Sequence, residues 1–202
     1  MANIDAAFGL RPVGHLDGSP YNGKATMYLV PAADGTAVYV GDLVKKEGTV
    51  GAGAAGLTVN GIDCEGMPTV IVAGATDTTL VGVVIGFLPN QSNLETLHRV
   101  ASTNRIALVS DAPDVVYEIQ EDSVGNNIAA DQVGNNFDTA YTTGSTVTGR
   151  SKVELDSSDS TGTATAQMRL LGMVQKPGNA LGDSCKWRVV INEHFFKSTT
   201  GA

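Results

Sequence analysis

Hydrophobic positions in this chain come in short runs of β-branched and aliphatic residues, and each run is cut after about ten residues by Gly, Asn, Asp or Pro. In ATMYLVP (25–31), Met27 and Leu29 fall on one face of a strand and Tyr28 and Val30 on the other. In AVYVGDLVKKEG (37–48), Val38, Val40 and Val44 alternate with Tyr39 and Leu43, and Gly41-Asp42 sits where a bulge would bend the strand. PTVIVAG (68–74) and TLVGVVIGF (79–87) are nearly continuous apolar runs, which predicts strands covered on both faces. RIALVSDAP (105–113) and DVVYEIQED (114–122) follow. In the second, Val115, Tyr117 and Ile119 point one way and Glu118 and Gln120 the other, the pattern of a half-exposed strand. SKVELD (151–156), ATAQMRLLGMVQ (164–175) and CKWRVVINEHFF (185–196) complete the set, with Trp187, Val189 and Ile191 alternating with Arg188 and Asn192 and Trp187 expected to anchor the core or an interface.

Helix formers almost never recur at the i, i+3, i+4, i+7 spacing that an amphipathic helix requires. The prediction is an all-β protein, a jelly-roll-like sandwich or a β-barrel, with few or no long helices. Residues 1–24 stand apart. Phe8, Leu10, Pro12, Val13 and Tyr21 are spaced by Gly9, Gly14, Gly18, Pro20 and Gly23, so no period survives, and an extended arm lying across this body or a partner is expected. Residues 25–202 form the β-rich body, with 90–104 as the place where it would divide if it holds two sub-domains. Between 122 and 149, Gly, Asn, Asp and Thr dominate, and the two VGNN copies (124–127 and 133–136) read as turns.

Charge and composition narrow the functional classes. The 202 residues carry a formal charge of -8 and no cluster of Lys and Arg beyond Lys45-Lys46, which argues against nucleic acid as a partner. No run approaches the roughly 20 apolar residues of a membrane helix, so no membrane partner is expected. The start lacks the apolar core of a signal peptide, and Cys64 and Cys185 are the only cysteines, so synthesis in a reducing cytoplasm with free, buried thiols is expected.

One stretch suggests chemistry. VGAGAAG (50–56) places Gly51, Gly53 and Gly56 at the G-x-G-x-x-G spacing of a dinucleotide cradle, with Asp77 about 20 residues on, where a ribose-binding acid would stand. The cradle needs a helix starting at the last glycine, because that helix's free N–H groups bind the pyrophosphate. The following LTVNGIDCEGMPTV is broken by Gly61, Gly66 and Pro68 and favours strand, so a small-residue loop is predicted and no cofactor. His15, His98 and His194 have no ligand spacing that would suggest a metal. Cys64 lies between Asp63 and Glu65, which disfavours a thiolate nucleophile. Asp111 with Asp114, and Asp63 with Glu65, read as turn carboxylates, because sugar-cleaving clefts usually add aromatics and these are only 5% of the chain. The loop DSSDSTG (156–162) lacks the alternating acids of a calcium loop. No catalytic site emerges and no enzymatic function is expected.

Four blocks carry a family resemblance: AAFGLRPVGHLDGSPYNG (6–23), YLVPAADGTAVYVGDLVKKEG (28–48), DAPDVVYEIQED (111–122) and KWRVVINEHFF (186–196). Together they resemble the capsid decoration, or cement, proteins of tailed bacteriophages. The resemblance implies a virion structural protein on the outer surface of an icosahedral shell, made in the host cytoplasm. Its partner would be the major capsid protein, whose subunits it bridges and stabilises, and no cofactor is implied. Association with itself is also expected, a homotrimer slightly favoured over a homodimer. In the arm, Phe8, Leu10, Arg11 and Pro12 are the expected contact set, Phe8 and Leu10 filling shallow apolar pockets and Arg11 pairing with a capsid carboxylate. The competing readings are a β-sandwich adhesion or carbohydrate-binding module using loops 125–149, another virion component such as a head-to-tail protein, and an enzyme built around Glu193 and His194.

Overall fold

The computed structural model describes residues 3–47, 53–158 and 164–197. Nearly every predicted run becomes a strand. In chain order these are β1 (Arg11–His15), β2 (Thr26–Val30), β3 (Leu43–Lys46), β4 (Thr58–Val59), β5 (Ile62–Asp63), β6 (Val70–Val72), β7 (Leu80–Phe87) and β8 (Arg105–Ser110). They continue with β9 (Val115–Gln120), β10 (Asn136–Phe137), β11 (Thr139–Ala140), β12 (Glu154–Leu155), β13 (Met168–Met173) and β14 (Lys186–Ile191). Two 3-10 turns, Ala130–Gln132 and Phe195–Lys197, are the only helical elements among the described residues.

The strands make two open five-stranded sheets, ordered β1-β9-β14-β13-β10 and β2-β8-β7-β3-β6, with every ladder antiparallel. Of the two predicted bodies the sandwich is observed, and among the described residues no barrel closes. The second sheet does curl: Leu29 of β2 bridges Thr69, just before β6, and its N–H donates to the Pro68 carbonyl at 2.9 Å. Chain order explains the architecture. All strands of the second sheet lie between β1 and β9, so the first sheet is completed by pairing residues about a hundred positions apart, Arg11 opposite Glu118 and His15 opposite Val115.

The largest core cluster fills the space between the sheets, where Leu43, Leu80 and Val83 meet Tyr117, Ile119, Trp187 and Val189. Val81 and Val84, on the same β7 run, enter a second cluster with Tyr28, Val44 and Val109 on the other face. Coverage of both faces is what the unbroken apolar run predicts. Leu29 and Ile106 are covered by the small β4–β5 hairpin through Val59 and Cys64. That hairpin turns on Asn60 and Gly61, both at positive φ (52° and 77°), the geometry that favours Asn-Gly in two-residue turns.

β9 departs from expectation. All six residues are buried, including Glu118 and Gln120, which were expected to face solvent. The strand lies between β1 and β14, and polar neighbours cover its outer face: Lys176 Nζ pairs with Glu118 Oε2 at 2.9 Å, and the N-terminal segment lies over Gln120. The Ala6 N–H donates to Gln120 Oε1 at 3.3 Å, and Gln120 Nε2 donates to Asp5 Oδ1 at 3.1 Å and Glu154 Oε1 at 3.3 Å. Asn3 extends the same attachment, its Nδ2 donating to the Ala180 and Asp183 carbonyls at 2.8 Å each. Residues 3–15 are thus extended, and they lie along the protein's own body.

At the centre of the first sheet, Trp187 is fully buried and its Nε1–H donates to Glu121 Oε2 at 2.9 Å, an oxygen that also accepts the Ile128 N–H at 3.2 Å. Burial holds the Glu121 carboxyl above its ordinary pKa. Trp187→Ala should lower the unfolding free energy by about 3–5 kcal/mol through the cavity and the lost donor. Leu94→Ala, at a side chain 74% exposed, should change it by less than about 0.5 kcal/mol; denaturant midpoints of the two variants check the contrast.

A second prediction concerns pH. Burial, with Asp5 and Asp122 nearby, pushes the Glu154 carboxyl up to about 7. The folded state therefore binds this proton more tightly than the unfolded chain does, and the stability it contributes is complete below about pH 4.5 and lost as pH rises through 7. Glu154→Gln should remove that loss, raising stability at pH 8 by on the order of 1 kcal/mol and leaving it unchanged near pH 4, as measured by paired melts.

Candidate functional site: a groove at the sheet junction

The groove is built from a turn in the second sheet. Tyr39 N–H donates to Asp42 Oδ2 at 2.8 Å and Asp42 N–H to the Tyr39 carbonyl at 3.1 Å, closing a turn that puts Gly41 at φ 100°. Asp42 is fully buried, and burial pushes its carboxyl up to about 6. Gly41 then bonds in two directions: its N–H donates to the Val84 carbonyl at 2.7 Å, and its carbonyl accepts the Leu10 N–H at 2.9 Å. The Gly41-Asp42 pair read as a bulge from sequence is thus a tight turn that docks the N-terminal segment. Only glycine suits position 41, because a Cβ there would lie 2.9 Å from the Phe8 carbonyl oxygen.

Leu10, 3% exposed, belongs to the central core and anchors its neighbours. Phe8 and Pro12 are half-buried and Arg11 is exposed, with its guanidinium 4.6 Å above the Phe8 ring. These four residues line a groove of about 200 Å³ together with Tyr21, Val40, Gly41, Val84, Ile85 and Arg150. Arg150 is delivered by a separate loop: Val40 N–H donates to the Gly149 carbonyl and Ser151 N–H to the Val40 carbonyl, each at 2.9 Å. Among the described residues neither Arg11 nor Arg150 makes an ion pair. The site is an apolar floor flanked by two unpaired cations, on a chain whose net charge is -8.

This arrangement suits binding an apolar side chain beside a carboxylate. The edge strand itself is closed to strand addition at this point. Pro12 lacks an N–H, and the register slips between Pro12 and Gly14 leave Val13 as a bulge. Sequence reasoning identified Phe8, Leu10, Arg11 and Pro12. It missed Tyr21, Ile85 and Arg150, which carry no motif; Arg150 arrives through the hydrogen bonds of its flanking residues to Val40, and Ile85 through its place on β7.

The other candidate residues are engaged structurally. Gly51 lies outside the described residues; Gly53 bridges Glu65 and abuts the Cys64 carbonyl within the chain. No helix follows Gly56, where the β4–β5 hairpin forms instead. Asp77 pairs with Lys45 at 2.8 Å. His15 contacts Asp114 at 3.1 Å, His98 stacks on Tyr39 with centroids 4.9 Å apart, and His194 is buried, its imidazole pushed down to about 4 by burial. Asp111 accepts the Tyr28 hydroxyl at 2.9 Å, and Asp63 accepts the Glu65 N–H at 2.9 Å. Both cysteines are free and buried, and burial pushes the Cys185 thiol up to about 11. In DSSDSTG, Asp156 caps Ser158, and residues 159–162 lie outside the described residues. Among the described residues no three His, Cys, Asp or Glu side chains gather as a metal site.

Comparisons with protein-family models, curated proteins and solved structures return no match. Gly41→Ala should test the groove's assembly: the Cβ must displace the Phe8 segment, and stability should fall by about 2 kcal/mol with increased proteolysis before Leu10. Unchanged melting and cleavage would show that Gly41 does not hold the segment.

Proposed function

We propose that this protein is a capsid decoration protein that binds the outer surface of an icosahedral shell and bridges major capsid protein subunits. The observation that carries the reading is a convergence. The four blocks that resemble the decoration family lie far apart in sequence, yet the first, third and fourth supply the adjacent strands β1, β9 and β14. The first and second blocks meet at the groove, contributing Phe8, Leu10, Arg11, Pro12 and Tyr21 from one and Val40 and Gly41 from the other. In this reading Phe8, Arg11 and Pro12 present the contact and Leu10 fixes them to the body. The groove receives an apolar capsid side chain, and Arg11 and Arg150 meet carboxylates beside it. A small contact suffices, since many copies on one lattice act together.

The test is electron microscopy of purified particles with and without the protein, followed by point variants. Deleting residues 1–14 would remove most of β1 and a core leucine, so Phe8→Ala and Arg11→Glu are the cleaner changes. Outer-surface density should vanish on omission, and each variant should bind shells at least about tenfold more weakly with unchanged melting temperature. Full occupancy by both variants, or the absence of outer density for the wild-type protein, would overturn the reading.

A further inference from the structure

The fold assembles a cluster of cations that the sequence keeps apart. On the outer face of the first sheet, turned away from the central core, β13 and β14 present Arg169, Lys186 and Arg188, and Lys176 reaches over from the connection between these strands. The five strands of this sheet carry one carboxylate between them, Glu118 of β9, and Lys176 already takes it. Arg188 stands opposite Glu118 in register, yet among the described residues it makes no ion pair, and neither Arg169 nor Lys186 makes one. The carboxylates that border the face are engaged as well: Asp5 and Glu154 accept from Gln120, Asp114 contacts His15, and Glu193 accepts from the Asn192 amide.

The two arginines are held in a defined relation. Arg169 lies opposite Val190 in the β13–β14 ladder, so Arg188, two residues back on β14, is its diagonal neighbour, and such positions stand roughly 7–8 Å apart. Arg169 is oriented by Asn136 and Asn192, whose Oδ1 atoms accept from its Nε at 3.1 Å and its Nη2 at 2.8 Å. Arg188 leans toward β13, its Nη2 3.8 Å from where a Cβ on Gly172 would stand. Like charges on adjacent strands cost stability, so two guanidiniums with no counter-ion in the chain gain from one that a partner supplies. Guanidiniums pair well with carboxylates, and in an extended chain the side chains of residues i and i+2 point the same way roughly 7 Å apart, which matches the two arginines. Arg188 also lines a cavity of about 240 Å³ with Val13 and Val174, an apolar seat for another side chain of such a segment. Nucleic acid suits the face less. Its continuous charge would run onto the rest of a chain of net charge -8, and the aromatic rings of these strands, Tyr117, Phe137 and Trp187, are all buried and offer no base a stacking platform.

We propose that Arg169 and Arg188, with Lys176 beside them, form a docking surface for an extended segment of a partner protein that carries carboxylates on alternate residues. The arginines set the spacing, and their place on paired strands fixes it before binding, so little conformational entropy is lost on association. The inference requires neither the groove nor a shell, and it stands or falls separately from the proposed attachment to capsid subunits.

The experiment is fluorescence anisotropy of a rhodamine-labelled peptide, Ser-Asp-Ser-Asp-Ser-Val-Ser, titrated with the full chain. The wild type should bind it with a Kd below about 0.1 mM at low salt, and about 0.5 M salt should weaken binding at least tenfold. A peptide of the same composition with adjacent acids, Ser-Asp-Asp-Ser-Ser-Val-Ser, should bind about threefold more weakly or worse, because neighbouring side chains of an extended chain point to opposite sides. Arg188→Glu and Arg169→Glu should each weaken binding by about tenfold or more, and Arg188→Glu, at an exposed side chain, should leave the melting temperature unchanged. Arg188→Gln, which removes the charge without reversing it, should weaken binding by about threefold or more. Lys24→Glu makes the same change of charge ahead of β2 on the other sheet and should alter binding by less than about twofold. No binding by the wild type, binding insensitive to salt, equal binding of the two peptides, binding unaffected by the Arg169 and Arg188 changes, or equal loss in the Lys24 variant would each overturn the proposal. Tighter binding of a short oligothymidylate than of the peptide would overturn it in favour of nucleic acid.

Discussion

The pairing of β1 with β9 is the constraint on which the rest depends. Arg11–His15 has no partner near it in sequence, and its ladder is supplied by Val115–Gln120 only after the whole second sheet has been laid down between them. Once β1 is docked, Leu10 enters the core, its N–H finds the Gly41 carbonyl, and residues 3–6 lie over the outer face of β9. Without this ladder, Gln120 would lose the cover of residues 5 and 6 and the groove would lose one wall. Pairings this distant carry a large loop-closure cost, so the first sheet is expected to complete late in folding.

Buried polar groups act as fasteners throughout. Asp42 closes the turn that presents Gly41, Glu121 receives the Trp187 indole, and Gln167 ties the Thr139 N–H and hydroxyl to the Gly74 and Asp77 carbonyls. Each joins segments with little regular structure of their own, which suits a chain whose connections outweigh its strands. The price is a set of carboxyls held in unfavourable surroundings, of which Asp42 and Glu154 are the clearest. His194 acts in the opposite sense: its depressed pKa destabilises the fold as pH falls from about 6.5 to 4, so acid and alkaline penalties come from different residues.

Function, in the reading argued above, rests on surfaces and not on a reactive centre. The groove and the 88–104 loop share one logic: backbone hydrogen bonds from buried residues fix a short irregular segment, and the segment shows apolar side chains outward. They differ in charge. Two unpaired arginines flank the groove, whereas the 88–104 loop carries Glu95 as its one exposed charge.

The sequence by itself determined the class of fold. Period-two alternation marked β2, β9 and β14, the unbroken apolar run of β7 announced burial on both faces, and the broken segment after Gly56 excluded the helix that a nucleotide cradle needs. These are local properties, written into side-chain order and backbone propensity. It also marked Phe8, Leu10 and Pro12, because apolar residues between glycines stand out without any period. Only the tertiary structure decided that Leu10 is an anchor, that β9 is buried on both faces, and that Tyr21, Ile85 and Arg150 complete the groove. Arg99 and Arg105 likewise look like surface charges until the carbonyls of Pro31, Thr36 and Leu88 are brought to them. The physical reason is the same in each case. Burial and hydrogen-bond partnership depend on which distant backbone arrives, and alternation along a strand records which face a residue occupies, not what will cover that face.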